Sequence, residues 1–345
     1  MKSKQITIKD IASELNISAS TVSRALNDKP YINSQTKKLV IDLAEKLGYT
    51  PNFLATSLRS QKSNTIGVII PEIVHFFFST VIAGIEEVAH NAGYTILFCQ
   101  SNESYEREVL DTKALITHRI DGLLVSFSQE TMNFDHFREV EKKNIPIVFF
   151  DRMIKEMDTS NVIVADYDGA RKATKHLLEQ GCSRIAHLSG PKHLNISKER
   201  LNGYLDVLEE HHLKPMPGYM RECGGTKEDG YTCTKKLLQL PNPPDAIFAN
   251  SDIVALGAMQ AIKELGLNIP NDIAIIGFSN WQFSELIEPQ LSTISQPGFE
   301  IGREAMMLLL DEINSGDVKN RPKTKVLPAE LIVRASSIKS SVLAI

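Results

Sequence analysis

The chain of 345 residues lacks long apolar runs. Its longest ones, such as 66–71 and 145–150, have the length of a strand and are far too short to span a bilayer. The first ten residues, MKSKQITIKD, contain no apolar segment of the kind that forms a secretory signal. We therefore expect a cytoplasmic protein that makes no contact with a membrane.

Residues that build metal and redox centres are also scarce. The chain has four cysteines, none of them in a CxxC pair or at metal-ligand spacing, and we expect them to be isolated, small residues of the core. No cofactor and no metal site are predicted. The cysteines are Cys99, Cys182, Cys223 and Cys233.

Signatures of common nucleotide-dependent enzymes are missing as well. No GxGxxG follows the first predicted strand, where GVIIP stands at 67–71, and no GxxxxGK[ST] occurs. His118, His187 and His193 show no spacing typical of a nucleophile and its base, and we interpret them as ordinary surface or core histidines. We predict that the protein is not an enzyme and has no catalytic residues.

The segment TIKDIASELNISASTVSRALN, which begins at Thr7, predicts two short helices joined by a tight turn. Ile8, Ile11 and Leu15 recur at helical spacing before Ser18, which stands where a helix N-cap is expected. Apolar residues at the same spacing then form one face of a second helix. This arrangement is a helix-turn-helix.

The outer side of the second helix carries small side chains and one arginine. Small residues allow a helix to enter the major groove of DNA, and an arginine there can reach a guanine edge. Many polar amphipathic helix pairs share this pattern, so DNA binding and an ordinary surface helix pair are both open at this point. The outer residues are Ala19, Ser20, Thr21, Ser23 and Arg24.

Charge is distributed unevenly along the chain. Residues 1–62 contain ten Lys or Arg and five Asp or Glu, a net charge of +5, whereas the remainder has a net charge of −9. A basic head on an acidic body suits a protein that places only its head on phosphates. Small domains often have such an imbalance by chance, so the charge supports DNA binding only together with the helix pattern.

From residue 66 onward, short apolar strands alternate with amphipathic helices. Continuous apolar strands are typical of parallel sheets that helices cover on both faces. Glycines suited to helix C′ positions follow three of the helices. The predicted strands are 66–70, 94–99, 122–127, 145–150, 184–188, 245–249 and 273–278. The predicted helices are 77–91, 105–118, 169–180 and 252–265, and the glycines are Gly93, Gly181 and Gly266.

The strands fall into two sets on either side of about residue 162. Two sets of this kind predict two doubly wound α/β lobes with a cleft between them. Ligands bind such sheets at the carboxyl ends of the strands, so the cleft is the predicted ligand site.

Further motifs follow the helix-turn-helix in order along the chain. Together with TIKDIA, STVSRALN and LGYTPN, they closely resemble the lactose-repressor (LacI/GalR) family of bacterial transcription regulators over almost all of the chain. The resemblance implies a sequence-specific DNA-binding regulator, in most cases a repressor, whose operator affinity is controlled by a small molecule. The motifs are Phe77-Phe78, Gly84-Ile85-Glu86, Asp121-Gly122, Ser251-Asp252, Ala255-Leu256-Gly257, Pro270, Gly277-Phe278 and Gln296-Pro297.

The resemblance also implies a domain organisation. A helix-turn-helix head would occupy 1–49, a hinge helix or linker 50–62, and a periplasmic-binding-protein-like core 63–345. The first lobe of the core would comprise about 63–162 and 295–327, and the second about 163–294 and 328–345. The return of the chain to the first lobe is implied by the family alone and does not follow from periodicity.

Residues of the head acquire roles from the same resemblance. Ala19, Ser20 and Arg24 would read bases, with Arg24 as a bidentate partner of guanine. Contacts to phosphates would set the register of the head on DNA. Ser18 and Asn27 can also act in helix capping and turns. The expected phosphate contacts are Thr7, Ser18, Thr21, Ser23, Asn27 and Thr36.

Residues 52–60 match the hinge helix of the family. Nine residues are too few to hold a helix in water, so the segment would order only against its dimer mate and the minor groove. Leu58 would wedge between base steps, with Ala55 and Asn52 at neighbouring DNA contacts. The alternative for Leu58 is a buried linker residue. A short hinge that needs a partner helix predicts a homodimer on a pseudo-palindromic site.

Aromatic residues follow the first strand at its carboxyl end. Phe76, Phe77 and Phe78 stand there in sequence, and aromatic faces stack well on sugars and bases. We expect two of the three to face the cleft and the other to pack in the core.

Charged residues also stand at the predicted cleft. Asp151 and Arg152 end the fourth strand and therefore point to the cleft. Arg200 matches the arginine that family members use on sugar hydroxyls or effector anions. The alternative for Arg200 is an exposed helix arginine.

The chain departs from the family pattern at several cleft positions. Ser279 stands where a carboxylate is frequent, Ser251 where asparagine is common, and Gly225 where an aromatic is frequent, for which nearby Trp281 can substitute. The loss of a negative charge beside Arg200 would suit a phosphorylated or acidic sugar. A sugar or sugar derivative is the expected effector class.

A soluble sugar-binding protein of a transport system is a further alternative. It would share the α/β core, but the helix-turn-helix and the missing secretory signal argue against it.

Overall fold

The computed structural model describes residues 6–26, 31–49, 62–74, 76–315 and 322–339. The chain divides into two compact units, Met1–Asn64 and Thr65–Ile345. Within the described part of the first unit, three helices pack around a small apolar core that includes Ile11, Val22 and Val40. The helices are α1 (Ile8–Glu14), α2 (Ala19–Leu26) and α3 (Ser34–Lys46).

Side-chain caps fix the starts of these helices. The backbone N–H of Thr7 donates to Asp10 Oδ2 at 2.8 Å ahead of α1. Ahead of α2, Ser18 Oγ accepts from the backbone N–H of Thr21 at 3.1 Å, which confirms the expected capping role of Ser18. Asn16, between the two helices, has a φ of 51°, a left-handed conformation that asparagine tolerates in tight turns.

The second unit contains two six-stranded sheets within the described residues. The first has the order β11-β5-β4-β3-β1-β2 and is parallel throughout, and the second has the order β12-β10-β9-β8-β6-β7. Among the strands that the structure describes, β12 alone is antiparallel to its neighbour. The strands are β1 (Thr65–Ile70), β2 (Thr95–Gln100), β3 (Gly122–Val125), β4 (Ile147–Phe150), β5 (Ser160–Val164), β6 (Ile185–Ser189), β7 (Met220–Glu222), β8 (Ala246–Ala249), β9 (Ala274–Ser279), β10 (Ser292–Ser295), β11 (Thr324–Leu327) and β12 (Glu330–Ile332).

Helices connect most of the parallel strands, because a parallel pair needs a crossover connection, whereas a loop joins β4 to β5. The central strands β1, β3, β4 and β8 are buried along their whole length. The helices are α4 (Phe76–Asn91), α5 (Tyr105–Thr117), α6 (Asp135–Lys142), α7 (Asp166–Glu179), α8 (Asn195–Glu210), α9 (Lys227–Leu238), α10 (Asp252–Glu264) and α11 (Gly298–Ser315).

The chain passes between the sheets at three places. It leaves the first sheet after β5, returns after β10 through α11 to β11, and crosses again from β11 to β12. We call the part around the first sheet lobe 1 and the part around the second sheet lobe 2. The doubly wound two-lobe fold class is confirmed, although the pairing of β11 with β5 depends on residues far apart in sequence.

Glycines bring pairs of helices into backbone contact inside each lobe. In lobe 1, a Cβ atom at Gly84 of α4 would overlap the backbone of α11, and one at Gly302 of α11 would overlap the backbone of α4. In lobe 2, Gly230 of α9 and Gly257 of α10 have the same reciprocal relation. Close backbone packing of this kind has no space for a side chain, which explains these four glycines.

The predicted strands and helices agree with the structure to within a few residues. Gly93, Gly181 and Gly266 have φ values of 75°, 78° and 72° just past three helices, as predicted for C′ positions. Of the helices in the described ranges, none combines the length and apolar character that a membrane crossing needs.

The expectation of four isolated cysteines is wrong for two of them. Cys223, after β7, and Cys233, within α9, are joined in a disulfide. The sequence concealed this pair because a loop and two turns of helix bring the two positions together. Cys182 is a buried core residue and Cys99 is partly buried, and burial raises the pKa of both thiols to about 11.

Candidate functional site

A cleft lies between the lobes at the carboxyl ends of the strands. It contains roughly 740 Å³ of empty space, part of it open to solvent. All eight residues predicted to contact an effector lie around it: Phe77, Phe78, Asp151, Arg152, Arg200, Ser251, Ser279 and Trp281. Nine further residues complete the lining: Glu103, Gln129, Pro191, Leu194, Ile196, Ser197, Gly225, Asn250 and Gln296.

Arg152 is clamped on the lobe 1 side. Its guanidinium donates from Nη1 and Nη2 to the two carboxylate oxygens of Glu103, at 2.8 and 2.7 Å, and from Nη1 to the carbonyl oxygen of Phe127 at 2.6 Å. Burial opposes the charge of Arg152, but the carboxylates of Glu103, Asp151 and Glu108 together outweigh it and raise the pKa of Arg152 above its ordinary value. This arginine therefore stays charged and fixed in place.

Asp151 precedes Arg152 in an unusual backbone conformation. Its φ is 63°, in the left-handed region that few residues other than glycine, asparagine and aspartate adopt. Its side chain is buried, which raises the pKa of its carboxyl group, while Arg152 and Arg200 act in the opposite direction. Strain and a buried carboxyl group at one position are typical of a functional site.

Arg200 is held on the lobe 2 side by a second carboxylate. Its Nε and Nη2 atoms lie 2.8 and 2.7 Å from Asp166 Oδ1, and Nη1 donates to the carbonyl oxygen of Asn250. The guanidinium carbon stands 3.7 Å from the centre of the Phe278 ring, a cation–π contact. Burial raises the pKa of Asp166 to about 6, although Arg200 opposes the shift.

The structure decides two expectations about Arg200. Its exposed fraction is 5%, so the alternative of an exposed helix arginine is wrong. The expected loss of a negative charge beside it is also wrong, because Asp166 supplies one from the start of α7. Ser279 offers no carboxylate at the end of β9, but Asp166 stands next to Arg200 from the start of α7.

A buried aspartate positions the loop that carries Trp281. Asp252 Oδ2 accepts from the backbone N–H of Trp281 at 2.8 Å and from Ser284 Oγ at 3.0 Å, and Oδ1 accepts from Thr293 Oγ1 at 2.6 Å. Burial raises the pKa of Asp252, and these hydrogen bonds oppose the shift. Ser279 has a φ of 120°, a strained left-handed value that turns the chain towards Trp281.

Ser251 caps α10, which begins beside the cleft. Its Oγ accepts from the backbone N–H of Val254 at 3.4 Å. Ser251 therefore lies at the cleft, where it was predicted, and its hydroxyl group is already used to cap α10.

Phe77 and Phe78 lie at the start of α4 and form an edge-to-face pair with ring centres 5.2 Å apart. Each is 6% exposed and lines the cleft while also packing in the core of lobe 1. They provide an apolar wall in a cleft that also carries charged and amide side chains.

Several buried polar atoms at the cleft have no hydrogen-bond partner among the described residues. They are Oδ1 of Asn250, Nε2 of Gln296 and Nε of Arg152. A buried polar atom without a partner costs free energy, so each of these atoms can gain from a ligand that supplies one. One unpartnered acceptor and two unpartnered donors around the same cleft are a chemical complement to hydroxyl groups, which both donate and accept.

The histidines have ordinary positions. His187 is buried between the rings of Tyr204 and Phe248, with centres 5.3 and 4.7 Å away, and burial lowers its pKa to about 4. His118 and His193 are exposed. Across the described ranges, no group of three His, Cys, Asp or Glu side chains is arranged to hold a metal ion.

Sequence reasoning missed the partners of the two arginines and the amide residues of the cleft. Glu103 follows β2, and Asp166 begins α7 directly after β5. The position of Asp166 gave a usable signal, since an acidic residue after a short apolar segment marks a helix start. That signal was not used because β5 itself was not predicted.

The described residues that were predicted to touch DNA are exposed or partly buried on the head. Arg24 and Ser20 are exposed on α2, and Ala19 is partly buried against the core of the head. Thr7 and Ser18 stand at helix starts, and Ser18 Oγ lies 2.7 and 2.8 Å from the hydroxyls of Ser20 and Thr21. Ser23 and Thr36 are partly buried on α2 and α3. Asn27, Asn52, Ala55 and Leu58 lie outside the described residues.

Comparisons with known proteins agree with this architecture. Residues 7–52 match the model of bacterial regulatory proteins of the lacI family, and residues 174–337 match a periplasmic binding protein-like domain. The transcriptional repressor CytR of Escherichia coli K12 is 36% identical over 333 residues, which cover 96% of each chain.

Two solved structures are also similar. The lac repressor dimer, bound to operator and the anti-inducer ONPF, has 26% identity and a TM-score of 0.86 over 97% of this chain and 100% of that one. A LacI family transcriptional regulator from Enterococcus faecium, with bound ribose, has 29% identity and a TM-score of 0.70 over 79% of this chain and 98% of that one. With its helix-turn-helix head and two-lobed core, the chain belongs to the lacI family of bacterial regulatory proteins and is a DNA-binding transcription regulator.

Proposed function

We propose that the protein is a cytoplasmic repressor that binds a pseudo-palindromic operator as a homodimer and changes its operator affinity when a small molecule binds between the lobes. The observation that carries the proposal is the cleft. Two buried arginines, one from each lobe, lie there together with two unpartnered amide atoms. We infer repression, not activation, because the relatives to which the chain is similar include transcriptional repressors. It is a regulator and not an enzyme on this proposal.

The head would read DNA through α2. Arg24 is exposed on this helix and long enough to reach a guanine edge, while Ser20 and Ala19 are small and allow close approach. Thr7, Ser18, Thr21, Ser23, Asn27 and Thr36 would hold phosphates. In the hinge, Leu58 would wedge into the minor groove with Ala55 and Asn52 beside it.

A selection from random double-stranded DNA, followed by gel-shift titration, tests this function. Arg24→Ala should weaken binding to the selected operator by about 10- to 100-fold and binding to random DNA far less. Lys38→Ala, which removes an exposed cation of α3, should weaken both similarly. Equal losses on both DNAs in Arg24→Ala would assign Arg24 to phosphate contact only.

The effector that fits the cleft best is a neutral sugar or sugar derivative. Each guanidinium in the cleft is already paired with a carboxylate, and Asp151 is a third acidic group. An anionic ligand would therefore meet no unpaired cation there. Hydroxyl groups would satisfy Asn250 Oδ1 and Gln296 Nε2, and an apolar sugar face would lie on Phe77, Phe78 or Trp281.

A thermal-shift screen of neutral sugars, nucleosides, sugar acids and sugar phosphates tests the effector class. A ligand at 100 times its dissociation constant should add about 2.7 kcal/mol to the free energy of unfolding. Stabilisation by sugar phosphates alone would contradict a neutral effector. The active compound should then change operator binding in a gel shift.

The homodimer would form along the exposed edges of both sheets. β2 ends the first sheet and β7 ends the second at the equivalent position, and they expose Phe98 and Met220. Unpaired sheet edges with exposed apolar side chains favour association. Sedimentation of the wild type and of Phe98→Glu tests this, with a dimer expected for the wild type and a larger monomer fraction for the variant.

A further inference from the structure

Two hydrogen bonds join the lobes directly on one side of the cleft. His193 Nε2–H donates to the carbonyl oxygen of Gln129 at 2.6 Å, and the backbone N–H of Met153 donates to Asn195 Oδ1 at 3.0 Å. His193 and Asn195 belong to lobe 2, at the start of α8. Gln129 and Met153 belong to lobe 1, in the loops that follow β3 and β4.

The same segments also carry the lining of the cleft. In lobe 2, Ser197 and Arg200 line the cleft within two turns of Asn195, and in lobe 1, Arg152 directly precedes Met153. Each bond between the lobes is therefore tied through a few backbone positions to a side chain of the cleft.

A carboxylate links the cleft to the first bond through side chains as well. Glu103 clamps Arg152 with both oxygens, and its Oε2 also accepts from the backbone N–H of Gln129 at 2.6 Å. Glu103 therefore fixes the backbone N–H of Gln129, and the carbonyl oxygen of the same residue accepts from His193. Arg152, Glu103, Gln129 and His193 thus form a continuous chain of polar contacts from the cleft to the other lobe.

We propose that His193 and Asn195 are a latch that holds the two lobes together, and that the Arg152–Glu103 pair couples this latch to the occupancy of the cleft. The proposal rests on the proposed function for its regulatory meaning, since a ligand at Arg152 would act on the latch through Glu103. The latch residues themselves contact no ligand on this proposal and act as positioning residues.

The expected strength of the latch is modest. His193 is exposed, so its hydrogen bond competes with water, and Asn195 is partly buried. A typical hydrogen bond inside a protein favours the bonded state by a factor of a few. Removing both bonds should therefore shift the balance between closed and open lobes about tenfold. A shift of this size suits a switch, because a small ligand can reverse it.

Hydrogen exchange of the full-length protein without DNA or ligand tests the latch. In the double variant with His193→Ala and Asn195→Ala, peptides that cover 126–131, 148–154 and 194–200 should exchange about tenfold faster than in the wild type. Lys192→Ala is the matched control, because Lys192 is adjacent in sequence but contacts Glu222 of its own lobe. Its exchange should equal that of the wild type.

Conservative variants separate the latch from a general structural effect. Asn195→Asp retains an oxygen that accepts from Met153, and His193→Gln retains an N–H donor, so both should restore slow exchange. Faster exchange at the Met153 amide alone, with unchanged peptides elsewhere in the cleft, would overturn the proposal, as would unchanged exchange throughout. The outcome is independent of operator or effector binding, so failure of the proposed function would be seen separately in the gel-shift and thermal-shift measurements.

Discussion

The cleft contains two buried arginines, one from each lobe, and their environments differ. Arg152 in lobe 1 donates from Nη1 and Nη2 to the two oxygens of Glu103 and to a carbonyl oxygen. Arg200 in lobe 2 shares a single oxygen of Asp166 between two of its nitrogens and stacks on the ring of Phe278. The guanidinium of Arg152 is matched to both oxygens of Glu103, as in a bidentate ion pair. Arg200 contacts only Oδ1 of Asp166.

The carboxylate partners differ still more. The side chain of Glu103 is 21% exposed, whereas that of Asp166 is 3% exposed. Burial raises the pKa of Asp166 to about 6, so this group begins to lose its charge just below neutral pH. The comparison teaches that the lobe 1 pair is held by contacts to both carboxylate oxygens, whereas the lobe 2 pair can also respond to protons.

The largest effect is expected from Arg200→Met. Removing one partner of a buried ion pair leaves Asp166 without its cation in a dry environment, and the free energy of unfolding should fall by about 3 kcal/mol at pH 7.5. Effector binding should be lost at the same time. Urea unfolding measures the stability, and calorimetry with the compound found in the screen measures binding.

The surface pair of Arg171 and Glu210 provides the control for this variant. Its side chains are 31% and 52% exposed, so Arg171→Met should leave the urea midpoint almost unchanged. Wild-type effector affinity in Arg200→Met would remove Arg200 from the binding site.

A smaller effect is expected from Arg152→Met. Glu103 is partly hydrated and accepts a further hydrogen bond from Gln129, so its charge is less costly when unpaired. We expect the free energy of unfolding to fall by about 1–2 kcal/mol, measured by the same urea titration. A loss as large as that of Arg200→Met would show that the two clamps are equivalent and that the comparison fails.

A pH series distinguishes the pairs further. The pKa of Asp166 lies above its ordinary value of 3.8, so the stability that its protonation contributes is present at low pH and is lost as pH rises through about 6. Between pH 5 and pH 7.5 the wild type should therefore lose about 1 kcal/mol relative to Asp166→Asn. Thermal unfolding of both proteins across this range measures the difference, and parallel curves would contradict the raised pKa.

The smallest effect is expected from Asp151→Asn. The charge of Asp151 raises the pKa of Asp166, so the variant should lower that pKa towards its ordinary value. Asparagine tolerates the φ of 63° at this position, and stability should change little. Carbon-detected NMR titration of the Asp166 carboxyl group measures the shift. An unchanged pKa would mean that the two carboxyl groups are not coupled.

Much of the fold and part of the site follow from the sequence. Buried parallel strands such as β1 and β4 consist of continuous apolar residues, and the residues just after them, including Asp151 and Arg152, meet at one cleft because all carboxyl ends point the same way. Their places around the cleft were predictable on that ground, and their binding roles stay predictions.

Other parts depend on contacts that no local pattern records. The partners of Arg152 and Arg200 lie 49 and 34 positions away, and they are ordinary acidic residues in the sequence. Strands β11 and β12 are short and partly exposed, and each contains a charged residue, so they lack the apolar run that marks a central strand. Packing between distant segments decides both features.

The reciprocal glycine contacts have a consequence for how such a protein can diversify. Gly84 with Gly302, and Gly230 with Gly257, fix the helix pairs of each lobe through backbone packing, and none of the four lines the cleft. Side chains of the cleft that lie outside the apolar core and the buried ion pairs can therefore be exchanged while these helix pairs stay in place. After gene duplication, substitutions at such positions would change the surface offered to a ligand without disturbing the helix packing of either lobe.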